Sequence, residues 1–174
     1  MIRKGPRCPH PTKMKSLIAG AFGFAVTLAA NVASADVSTI KIPGAHPDYV
    51  FEAEPHAIIA PFDEFAPGVG FRGTIELVDN GFIATINNTI GIGFGVDWTD
   101  KHFRTPVVMQ WNFWLSRNWS VFGEPGGVLN FKKNDKVDIK PAFYAGGRFH
   151  FSDSITLTMR VGHPTASVGV SFLL

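Results

Sequence analysis

From Ile139 to Phe151 the chain alternates with a period of two. Ile139, Pro141, Phe143, Ala145, Gly147, Phe149 and Phe151 take one face; Lys140, Ala142, Tyr144, Gly146, Arg148 and His150 take the other. That is the signature of a strand with two different environments. It recurs in Val69–Leu77, where Arg72, Thr74 and Glu76 oppose Phe71, Ile75 and Leu77, and in Thr85–Trp98, where Ile90, Ile92, Phe94, Val96 and Trp98 oppose threonine, asparagine, glycine and Asp97. Thr105–Ser116 and Ile155–Gly162 show it again, as does the terminal SVGVSFLL. Two further strands are expected near Tyr49–Ile59, interrupted by Pro55, and from Trp119 to Glu124 with an extension toward Phe131. The expectation is an all-β chain of eight antiparallel strands, with no helical rhythm after Asp36.

The connections predict an order. DNG (Asp79–Gly81), SRN (Ser116–Asn118) and SDS (Ser152–Ser154) have the composition of tight hairpin turns. Longer joins, Ala60–Gly68, Thr99–Arg104 and Pro125–Asp138, lie between them, and a brief GHPTA (Gly162–Ala166) precedes the last strand. Short turns on one side and longer loops on the other describe an up-and-down transmembrane β-barrel.

Polarity then decides which face is wet. The charged face is poor in lysine and rich in Gly, Thr and Asn, and its charges nearly balance: Glu52, Glu54, Glu76, Asp97 and Glu124 against Arg72, Lys140, Arg148 and Arg160. A closed interior needs that balance, because unpaired buried charge is costly. Arginine also suits it, since its planar fork bridges carboxylates on two strands. The opposite face carries Phe71, Phe94, Trp98, Trp111, Phe113, Phe143, Phe149 and Phe151. Trp98, Trp111 and Trp119 suit aromatic belts at membrane surfaces. The competing reading is a secreted, lipocalin-like ligand-binding barrel with the aromatics inside.

The first residues change the charge picture. A basic start, an apolar run from Leu17 to Ala30 and Ala33-Ser34-Ala35 form a secretory signal peptide over 1–35, with Met14 as an alternative start. A lead over 36–48 and a barrel over 49–174 would follow. Five of the 16 Lys and Arg residues and none of the 14 acids leave with that peptide, so the formal charge falls from +2 to −3. Nucleic-acid binding loses its basic face. The one cysteine, Cys8, leaves too.

In SVGVSFLL, Ser167, Gly169, Phe172 and Leu174 stand as a polar residue, a glycine two on, and hydrophobics three and five after that. With the alternating strands, this resembles the small eight-stranded bacterial outer-membrane barrels of the OmpA/OmpX-like kind, in the porin-like superfamily, over most of Tyr49–Leu174. The chain departs at its final residue, a leucine where that family usually has an aromatic. The resemblance implies a monomer in the bacterial outer membrane whose last strand is read by the barrel-assembly machinery. It implies contact with outer-membrane lipid and lipopolysaccharide, and a structural, adhesive or surface-interaction role. An eight-stranded interior is filled by side chains, so a general pore is not expected.

Catalytic groups are sparse. His150 and Ser152 resemble the His-x-Ser of outer-membrane lipid A deacylases, but no glutamate follows Glu124 to orient the histidine. His102, Asp97 and Asp100 lack the serine that palmitoyl-transferring barrels add. His46 and His56 are scattered, and no His pair has metal spacing. No enzyme activity, cofactor or metal site is expected; a lipid-modifying barrel enzyme is the alternative. Gly91, Gly93 and Gly95 are read as room for long side chains or curvature rather than as a ligand pocket.

Overall fold

The computed structural model describes residues 37–60, 66–100, 102–131 and 137–174. The signal peptide expected over 1–35 lies outside them.

Eight antiparallel strands close into one up-and-down barrel: β1 (Phe51–Ala60), β2 (Ala66–Val78), β3 (Asn88–Thr99), β4 (Phe103–Trp114), β5 (Trp119–Phe131), β6 (Val137–His150), β7 (Ile155–His163) and β8 (Ala166–Leu173). Closure is made by β8 on β1, with His56 opposite Gly169 and Glu52 opposite Leu173. Leu174 finishes the seam: its carbonyl accepts from Val50 and Phe51 N–H at 2.8 and 3.1 Å, and its own N–H donates to Phe51 at 2.8 Å. The apolar last strand is therefore paired along its length. Followed once round the barrel, the registers return to β1 about ten residues further along, which for eight strands means a tilt of roughly 40°.

The alternation read from the sequence is the alternation of the wall. In β1, Glu52, Glu54, His56 and Ile58 point into the lumen and are buried, while Pro55, Ala57 and Ile59 face out. Phe71, Ile92, Phe94, Val107, Phe143, Val161 and Val170 all stand exposed on the outside. Aromatics cluster at both ends of this surface. Trp98, Phe103 and Phe131 are successive cross-strand partners at one end. Trp119 meets Phe149 at 5.0 Å and Trp111 meets Phe113 at 4.8 Å toward the other.

Three expectations about the connections change. Asp79–Gly81 is not a tight hairpin: β2 ends at Val78 and β3 begins only at Asn88, so Thr85–Asn87 belong to the connection. Asn88 causes this. Its side-chain amide donates to the Ile83 and Ile86 carbonyls, both at 2.8 Å, and its carbonyl accepts from Gly81 N–H, folding the segment onto itself. Conversely, Pro125–Asp138 is not a long loop, because β5 continues to Phe131. Proline and glycines read locally as breakers, yet Gly126 and Gly127 are paired on both sides, to β4 and β6; tertiary pairing overrides local propensity. Long and short connections therefore do not alternate as expected, since the nine-residue segment 79–87 lies at the end that holds the short turns. The turns at Ser116–Asn118 and Ser152–Ser154 do form, with Ser116 Oγ accepting from Trp119 N–H and Ser152 Oγ from Ile155 N–H.

The lead is structured. Thr39 N–H donates to Leu115 O, Asn87 N–H to Ile40 O and Asn87 Nδ2 to Ala45 O. These bonds draw residues 38–49 beneath the turn end of the barrel.

Candidate functional site in the barrel lumen

The lumen is packed with charge. Four acids (Glu52, Glu54, Asp97, Glu124) and four arginines (Arg72, Arg104, Arg148, Arg160) are each at most 2% exposed. Such a set is tolerable only if paired and hydrogen-bonded.

Glu124 on β5 is the hub. It accepts from Arg160 Nε at 2.9 Å, Arg160 Nη2 at 3.2 Å, Arg72 Nη1 at 3.1 Å and Gln110 Nε2 at 3.0 Å. The same Arg160 forks onto both oxygens of Glu54 at 2.8 and 2.9 Å. Side chains from β1, β2, β4, β5 and β7 thus converge on one cluster across the barrel. Closer to the turns, Arg148 holds both oxygens of Glu52 at 2.8 and 2.7 Å and donates to Asn112. Phe122 lies between the two clusters, with the Arg148 and Arg160 guanidiniums 4.5 and 5.1 Å from its ring centre. That contact desolvates the cations on an attractive surface.

Toward the end opposite the short turns, Asp97 sits 3.0 Å from His56 Nε2 and accepts from Thr165 at 3.4 Å. Glu54 lies 3.4 Å from the other ring nitrogen of His56. Arg104, opposite Asp97 in the β3–β4 register, donates to Asn130 at 3.1 Å. Val108, Val128, Ala142 and Tyr144 form a small apolar cluster alongside. At the turn end, Trp114 crosses the lumen, tilted against His150 at 4.7 Å and stacked on His46 of the lead at 5.4 Å; Tyr49 and Leu173 pack with it.

Two residues assigned to this network stand outside it. Lys140 has the inward parity but lies at the end opposite the short turns, half exposed, 3.6 Å from Asp138. Glu76 is half-buried beneath the wall, where it lines a cleft with Asp48, Tyr49 and Asp79. Both are corrected for the same reason: alternation gives the face of a residue, and strand tilt gives its depth. Arg104 takes the fourth cationic place. Alternation extended from Gln110 and Val108 back through Pro106 reaches it, but the expected strand began one residue later. His56 shares parity with Glu52 and Glu54, and Gln110 and Asn112 share it with Trp114, so their place in the lumen was also readable. The Trp114 lid was not, because half of it is the aperiodic lead.

The catalytic candidates are not assembled. Ser152 Oγ faces the backbone of its own turn at Ser154 and Ile155. His150 instead meets Ser120 Oγ at 3.0 Å with its ring against Trp114, and both residues are buried. Asp97 lies in the lumen on β3, as its parity predicts, and His102 donates its backbone N–H to Thr99 Oγ1. Among the described residues no group of three potential ligands can hold a metal ion. The glycines of β3 let the β2 backbone approach closely: a Cβ on Gly91 would stand 2.7 Å from Ile75 O, and one on Gly95 would collide with Phe71 O.

Ser167, Gly169, Phe172 and Leu174 divide between faces. Ser167 Oγ accepts from Arg160 at 3.3 Å, and Gly169 sits against the backbone of Pro55 and His56, while Phe172 and Leu174 point outward with Val168 and Val170.

No family model matches this sequence, and no curated protein does. Solved structures do. A de novo designed transmembrane β-barrel superposes with a TM-score of 0.56 at 13% identity, covering 78% of this chain and 99% of the design. A second design, TMB2.3, gives 0.54 at 14% identity over 75% and 97%. The outer-membrane protein Ail of Yersinia pestis gives 0.49 at 11% identity over 73% and 100%. The two designs share the fold of this chain, a small closed antiparallel barrel.

Proposed function

We propose that this chain is an integral outer-membrane β-barrel of a bacterium with a double-membrane envelope, embedded as a monomer with a side-chain-filled lumen and a structural, adhesive or surface-interaction role. One observation carries the reading: the barrel is inside out relative to a soluble one. Eight charged side chains occupy its interior while an apolar surface faces outward. In water that arrangement would expose the large residues and bury the polar ones, forfeiting the hydrophobic effect on both counts; in a bilayer both faces are satisfied. A strand of ten residues tilted about 40° climbs roughly 25 Å, enough for the apolar band of such membranes. Aromatics near both ends fit interfacial belts.

The lumen supports a plug rather than a conduit, since Arg160, Glu124, Arg72 and Trp114 lie across it. Its Ser–His contact is buried against Trp114, which favours a non-enzymatic role over a lipid-modifying one. Export through the signal peptide, delivery by the barrel-assembly machinery through β8 and contact with lipopolysaccharide complete the reading. Membrane fractionation followed by gel migration with and without boiling tests it. A folded, faster-migrating form in the outer-membrane fraction is expected. Recovery in the soluble periplasm, with no heat-dependent shift, would sink it.

A further inference from the structure

Ile90 breaks the pattern of the outer wall. It has outward parity with Ile92 and Phe94, yet it is 6% exposed where they are 43% and 40%. The segment 79–87 covers it: this connection turns back along the outside of the barrel instead of hanging below it. Gly81 lies against Asn88 and Ile90, and Phe82 packs edge-on against the outward-facing Trp111 at 5.4 Å. Asn88, outward by parity and fully buried, holds the flap in place, because its Oδ1 also accepts from Trp111 Nε1 at 2.9 Å.

The chemistry of the flap's free surface is unlike that of the other turns at this end. Ser116–Asn118 contains Arg117 and Ser152–Ser154 contains Asp153, each in a three-residue turn, whereas the one charge of 79–87 stands at its start, where Asp79 lies 3.5 Å from His46 of the lead, and the eight residues after it are uncharged and present Phe82 and Ile83 at 68% and 39% exposure. Leu77 and Val78, also exposed, continue this apolar patch into the wall. Asn87 and Asn88 turn their side-chain amides inward, onto the lead and the flap's own carbonyls, while Phe82 and Ile83 are turned away from the protein with the uncharged Asn80 and Thr85 exposed beside them. That is the amphipathic division of a segment lying in a membrane interface.

We propose that Asn80–Asn87 is an interfacial anchor, inserting Phe82 and Ile83 between the glycerol and upper acyl region of phospholipids in the leaflet on the turn side. The occupant is lipid, because the patch is continuous with the apolar wall and level with Trp111 of the aromatic belt. The proposal rests on the membrane reading above. It adds that this one connection sits within the bilayer surface and fixes the depth of the barrel there.

The test uses the full chain with Cys8→Ser and a single introduced cysteine carrying an environment-sensitive fluorophore, refolded into phosphatidylcholine vesicles. Nitroxides placed near the ester or near the terminal methyl of the acyl chains act as lipid-borne quenchers. Phe82→Cys is compared with Val107→Cys on the outer wall and Arg117→Cys in a neighbouring turn. Expected is at least twofold stronger quenching at position 82 than at 117, and strongest with the shallow nitroxide. Quenching at 82 as weak as at 117, with Val107→Cys quenched normally, overturns the anchor and leaves the barrel reading intact. Shielding of 82 from aqueous iodide without lipid quenching marks a protein partner and overturns it equally. An unquenched Val107→Cys overturns the membrane reading itself. Ile83→Cys is read by the same criteria if the Phe82 variant does not refold.

Discussion

Removing the charge of Glu124 tests the lumen most directly. Glu124→Gln keeps the side-chain volume, so no cavity term enters, but two guanidiniums lose a counter-ion. Arg72 and Arg160 together direct three donors at that carboxylate, and Gln110 adds a fourth. Breaking a buried pair by neutralising one partner typically costs about 3–5 kcal/mol, most of it the penalty of the charge left behind. Glutamine retains one oxygen acceptor and Glu54 still neutralises one charge, so a loss near the lower end, about 3 kcal/mol, is expected. Lys140→Gln is the matched control. Its partner Asp138 is 3.6 Å away and both side chains are roughly half exposed, so the loss there should stay below about 0.5 kcal/mol. Urea unfolding from detergent micelles, followed by tryptophan emission and by gel mobility without boiling, measures both. A second arm removes one cation: in Glu124→Gln with Arg72→Gln the charges balance again. That pair should recover at least about 1.5 kcal/mol relative to the sum of the single variants. A Glu124→Gln loss no larger than that of Lys140→Gln, or strict additivity in the double variant, would refute the hub.

Arg148→Ala should destabilise the barrel in detergent by about 3 kcal/mol, because Glu52 is then buried without its fork; an unchanged urea midpoint would count against the inward assignment. Trp114→Ala removes the ring that carries His46, Tyr49 and His150, so about 3–5 kcal/mol should be lost and trypsin should cut faster at the exposed Lys41 of the loosened lead; cleavage at the wild-type rate would show that the lead does not depend on the lid. Gly95→Ala drives a methyl into the Phe71 carbonyl across the β2–β3 seam and should prevent refolding, whereas Gly123→Ala meets nothing within 4 Å and should refold with wild-type yield; equal yields would remove the close-approach argument.

How much of this was legible in the sequence depends on what period two can carry. It carries the face of each residue, which is why β3, β4, β6 and β7 were readable, and why Glu52, Glu54, Arg72, Asp97, Glu124, Arg148 and Arg160 meet inside. It does not carry depth. Depth along a tilted barrel is set by the sum of all the registers, so Lys140 and Glu76 share parity with the network but emerge at its two ends, while Arg104 descends into it opposite Asp97. Nor does alternation reveal a segment that folds back upon the wall. Asn87 and Asn88 continue the β3 pattern in the sequence, yet their side-chain amides bond Ala45, Ile83 and Ile86 and turn a hairpin into a flap. The lead is hidden for a related reason, because residues 38–49 are held mostly by isolated backbone bonds to strand ends. Any aperiodic chain can make such bonds. What a sequence of this class conceals is therefore concentrated at the barrel ends, where the Trp114 lid and the proposed anchor both lie.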